Sequence, residues 1–98
     1  MKLEDYRKAI DYYQRALQIE REIGARSGEG ASLGNLGLAY YSLGETNKAC
    51  EMWREAMAIF EVIESPHAKS IERLLAKHCQ GNAVWSLITD YVRRWKPR

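Results

Sequence analysis

Laid against itself at an offset of about 40 residues, the first third of this chain matches its middle. Lys8 falls on Lys48, Ala9 on Ala49, Ala16 on Ala56, Ile19 on Ile59 and Ile23 on Ile63. Asp5, Asp11, Tyr13 and Leu17 fall on Glu45, Glu51, Trp53 and Met57, residues of similar charge or bulk. A unit that recurs in this way cannot bury its apolar side alone, so successive units must stack. That requirement admits few folds.

The period inside each unit is helical. Tyr6, Ala9, Ile10, Tyr13, Ala16, Leu17, Ile19 and Ile23 recur mostly at steps of three and four, which predicts a helix over about residues 4–23. Gly24 is placed to stop it. Gly24, Ser27, Gly28 and Gly30 read as a flexible connection. A second helix is predicted from about Glu29 to Leu43, with Leu33, Leu36, Ala39 and Tyr40 on one side, and a third from about Glu45 to Glu64. Gly34 and Gly37 lie inside the second, where each costs about 1 kcal/mol against alanine, so a packing reason is expected for them. Ser65 and Pro66 predict the start of a fourth helix, as N-cap and first helical residue, ending near Cys79. Asn82 opens a fifth, carrying Val84, Trp85, Ile88, Tyr91, Val92 and Trp95. β-branched residues do not alternate with polar ones, so no sheet is expected. The fold class is all-α, with about five helices in antiparallel helix-turn-helix repeats.

Small residues at Gly37, Ala49 and Ala56 let two antiparallel helices approach closely, with Tyr40 and Trp53 filling the space around them. The set Leu33, Leu36-Gly37, Tyr40, Ala49, Trp53 and Ala56 resembles the tetratricopeptide repeat pattern at its own spacing. The stretch from Leu33 to Gly44 looks like its longer-period variety. Leu33 stands where tryptophan is usual, Trp53 for Phe or Tyr, and Thr46 for an aromatic, while the closing proline is displaced to Pro66. The resemblance implies a fragment of a right-handed superhelix in a single domain. Residues 1–24 would be a half repeat holding only a second helix, residues 29–64 a full repeat, and residues 65–98 degenerate capping helices.

The same resemblance implies a protein-interaction module whose first helices line a concave groove. Asn35, Leu38, Tyr41 and Ser42 would face that groove from the second helix, with Leu75 and His78 from the fourth. Asn35 offers a donor and an acceptor to an extended peptide backbone. Leu38, where a second asparagine is common in the family, makes this groove less polar. Gly34 and Leu38 exclude the lysine clamp that some members use for carboxylate tails.

A half repeat at the front also implies self-association, as a homodimer that forms by simple contact or by domain swapping across the glycine-rich connection. Tyr6, Ile10, Tyr13 and Leu17 are the expected contact residues.

Other functions find less support. The net charge is +2, but Arg93, Arg94, Lys96 and Arg98 carry all the excess and the rest of the chain is mildly acidic. With Trp85, Tyr91 and Trp95 that tail forms a basic amphipathic helix, so nucleic-acid or anionic membrane-surface binding is the alternative reading; neither is expected. Cations at a helix C-terminus are also accounted for by its dipole. Glu20, Glu22 and Glu29 read as solvated charges. His78-Cys79 has no second pair of metal ligands at a usable spacing, and no nucleophile or phosphate-loop motif occurs, so neither metal, cofactor nor enzymatic activity is expected. A bridge between Cys50 and Cys79 is conceivable, but two reduced thiols in a cytoplasmic protein is the reading adopted.

Overall fold

A computed structural model describes residues 2–79. Four helices follow one another: α1 (Leu3–Ile23), α2 (Arg26–Ser42), α3 (Thr46–Val62) and α4 (His67–His78). No strand occurs among the described residues, in agreement with the all-α expectation. The fifth predicted helix lies outside them.

The 40-residue correspondence extends to backbone geometry. Gly24 closes α1 in the left-handed region at φ 71°, and Glu64, its equivalent, follows α3 at φ 55°. One residue on, the Ala25 amide donates to the Glu20 carbonyl at 2.9 Å and the Ser65 amide donates to the Phe60 carbonyl at 2.8 Å. The two helix ends are built alike although only one has glycine. Gly44 supplies a third left-handed turn, after α2, at φ 83°. Before α4 the His67 amide donates to Ser65 Oγ at 3.2 Å, while the N-cap residue is Pro66, at helical dihedrals, one position later than the sequence suggested.

The connection between α1 and α2 is shorter than the sequence suggested. Ser27, Gly28 and Gly30 are helical, leaving only Gly24 and Ala25 between the two helices. Gly30 serves packing: a Cβ there would lie 2.6 Å from the Phe60 ring. Glu29, expected in solvent, is 6% exposed. Its carboxylate accepts from Arg21 Nε at 3.2 Å and from Arg26 Nη1 at 3.1 Å. The second arm of the Arg21 guanidinium reaches Glu55 on α3 at 3.3 Å. Glu20 is engaged as well, accepting from Ser32 Oγ at 2.6 Å. These bonds hold the start of α2 in helical form where composition alone favours a loop.

The core is one cluster of Leu17, Leu33, Leu36, Ala49, Trp53, Ala56, Met57, Ile59, Phe60 and Ile71. Trp53 is its largest fully buried side chain. The indole lies directly against Gly37, where any Cβ would collide with the ring. Gly37 is thus required by close approach, as the sequence anticipated. α4 is held more thinly than the rest: only Ile71 on it is buried, with Ala68, Leu74 and Leu75 partly covered.

One expectation about α4 is overturned. Cys50 and Cys79 are not free thiols but form a disulfide, with Cα atoms 6.0 Å apart. The reason is topological: α4 runs back along α3, which returns its C-cap residue to the first turns of α3. Nothing in the spacing of the two cysteines reports that return.

Candidate binding face

Tyr41, in the last turn of α2, meets His78, the last residue of α4, with ring centroids 4.3 Å apart. Beneath them lies the buried indole of Trp53, 6.1 Å from Tyr41 and 5.8 Å from His78. Its Nε1 donates to the Gly34 carbonyl at 3.2 Å, which fixes the plate on which the outer rings rest. The sequence placed Trp53 in the core but missed its second role as a floor for this face. That role depends on α4 coming close to α2, which no local pattern reports.

The other groove candidates share the surface. Leu38 and Tyr41 are exposed and lie one helical turn apart on α2. Ser42 Oγ donates to the Leu38 carbonyl at 2.9 Å, so its proton is spent within the helix and its lone pairs remain. Asn35 is half-buried on the same face. Among the described residues no hydrogen bond engages its amide. Leu75 is half-buried one turn before His78 and packs on the core, so it supports the face more than it forms it. Beyond His78 a cleft of about 490 Å³ opens between the start of α3 and the end of α4. It is lined by Thr46, Asn47, Glu51, Arg54 and the disulfide.

The proposed self-association residues fall elsewhere. Leu17 is 7% exposed and belongs to the core, and Ile10 and Tyr13 pack against it, with Tyr6 half-buried beyond them. Leu17 is covered in the core and has little surface to offer a partner. The open apolar stripe on α1 is instead Tyr12, Ile19 and Ile23, which are 67%, 57% and 71% exposed. Their steps of seven and four place them on one side of the helix. In the following repeat Ile59, the equivalent of Ile19, is buried. The connection that a swap would have to open is the Gly24-Ala25 pair alone.

A tetratricopeptide repeat model matches residues 1–79. The chain belongs to the tetratricopeptide repeat family. Repeats of this family serve as scaffolds for protein–protein interaction and are typically non-catalytic. No curated protein and no solved structure gives a significant match. Among the described residues no group of three metal-ligating side chains occurs, and no helix is long and apolar enough to cross a membrane. Trp85, Tyr91, Trp95 and the basic tail, on which the nucleic-acid or membrane reading depended, lie outside the described residues.

Proposed function

We propose that the chain binds an extended peptide segment of a partner protein across the face formed by α2 and α4. The observation that carries this reading is the exposed Tyr41 ring against His78, over a buried and hydrogen-bonded Trp53. An aromatic plate held by three helices is preorganised, so an apolar or aromatic anchor docks without ordering the site first. Asn35, on the same helix, offers a donor and an acceptor to the ligand backbone. Selection from a random peptide display library tests the reading. Recovered peptides are expected to share an apolar anchor and to lose binding to Tyr41→Ala. Recovery of peptides indifferent to Tyr41, Leu38 and Asn35 would place the site elsewhere.

A second contact is supported by the open stripe on α1. Tyr12, Ile19 and Ile23 suit a homodimer in which two copies of α1 pack side by side, an arrangement closed by two-fold symmetry. Light scattering across a concentration range distinguishes dimer from monomer, and a constant monomer mass at about 100 μM, well above the micromolar range of ordinary specific association, excludes it.

A further inference from the structure

The Cys50–Cys79 disulfide ties the element of the binding face with the thinnest hold on the core. Cys79 caps α4 directly after His78, and Cys50 sits in the buried side of α3. α4 has twelve residues and a single buried side chain, Ile71. A helix of that length is not stable by itself in water, so its seating depends on tertiary contacts and on the cross-link. Breaking the bond removes a constraint on the loop it closes, and the effect falls hardest on the segment of lowest local stability. The bond also borders the cleft beside His78, with Cys79 the more accessible of its two residues.

We propose that Cys50–Cys79 is a thiol–disulfide switch that decides whether His78 is seated against Tyr41, and so regulates the binding face proposed above, on which this inference rests. The reductant is a cellular thiol of the glutathione or dithiol-protein class. Its thiolate attacks Cys79 Sγ through the cleft and a mixed disulfide forms there as the Cys50–Cys79 bond breaks. Cys50 leaves as a thiolate and takes a proton. A second reductant thiol then attacks the mixed disulfide, Cys79 leaves and is protonated, and the reductant departs as its own disulfide. Two electrons and two protons pass to the chain. Exchange with an oxidised glutathione-type disulfide restores the bond by the reverse steps.

The test compares the full chain oxidised and after reduction with dithiothreitol, the state being verified by the mass of two added hydrogens. Amide hydrogen exchange is read by segment. On reduction, α4 is expected to exchange at least about ten-fold faster while α2 and the centre of α3 keep their protection. Cys79→Ser should behave as the reduced form with or without dithiothreitol. Unchanged α4 exchange, or equal loss of protection in every helix, overturns the switch. Peptides selected on the oxidised chain should bind the reduced chain at least about five-fold more weakly, the size of an ordinary coupling between sites. Equal affinity, with α4 loosened, overturns the regulatory claim. A library that yields no peptide on either form refutes the binding face itself, leaving the exchange data to decide whether the bond controls α4.

Discussion

Trp53 and Gly34 are joined by a hydrogen bond inside the core: the indole N–H donates to the glycine carbonyl at 3.2 Å. That carbonyl belongs to the interior of α2, so the bond ties α3 to the middle of its partner helix. Because Trp53 also underlies Tyr41 and His78, it links the stability of the repeat to the shape of the binding face. Trp53→Phe keeps an aromatic ring but leaves a void and loses the donor. It is expected to destabilise the chain by about 2–4 kcal/mol. The drop should be visible in the midpoint of urea unfolding.

Gly37 is expected to invert a familiar trend. Glycine to alanine in a helix interior ordinarily stabilises by up to about 1 kcal/mol. Here the added carbon collides with the Trp53 ring. Gly37→Ala should therefore lower the melting temperature, and Gly37→Leu should cost about 1–3 kcal/mol or more. A melting temperature that rises in Gly37→Ala contradicts the packing described.

Glu64 offers the opposite opportunity. It adopts φ 55° at a position whose equivalent in the preceding repeat is Gly24. A residue with a Cβ pays about 1–2 kcal/mol for that conformation, while glycine costs about 0.5–1 kcal/mol in chain entropy. Glu64→Gly is thus expected to stabilise the chain by about 0.5–1 kcal/mol, raising the melting point by roughly 2–8 °C. Calorimetry checks the sign.

Asn35→Ala should leave folding nearly intact, since among the described residues no hydrogen bond uses the amide. Binding of a selected peptide should weaken by roughly 2–10-fold, the worth of one ordinary hydrogen bond. Isothermal titration of wild type and variant with the same peptide measures it.

On α1, two neighbouring substitutions should separate association from folding. Ile19→Glu, on the open stripe, is expected to convert a dimer to monomer without loss of helicity. Leu17→Glu, two residues earlier but in the core, should unfold the chain, because an unpaired carboxylate would be buried there. Sedimentation with circular dichroism distinguishes the two outcomes.

The helices were legible in the sequence because apolar spacing is a local signal. Gly37 and Trp53 stood out together because the repeat places small residues opposite large ones. Glu29 was misread because its partners, Arg21 and Arg26, lie on either side of a turn whose geometry is not written in composition. The two faces of α1 were confused for a related reason. Periodicity shows that Ile10, Tyr13, Ile19 and Ile23 are apolar, but only the position of α2 decides which of them are covered. The disulfide depends on how α4 returns along α3, and no pair of sequence positions encodes that path. Tyr41 and His78 were each placed on the groove by resemblance to the family, yet their contact, and Trp53 beneath it, emerged only in three dimensions.

Arg21 gives the array an adjustable joint. One guanidinium on α1 grips Glu29 on α2 with one arm and Glu55 on α3 with the other, at 3.2 and 3.3 Å. The arm to Glu29 ends on a sheltered carboxylate that Arg26 also grips. The arm to Glu55 ends on an exposed one, which mobile ions screen. The grip on Glu29 is therefore the firmer of the two, while the reach to Glu55, between two half-exposed groups, adds at most about 1 kcal/mol and weakens as salt rises.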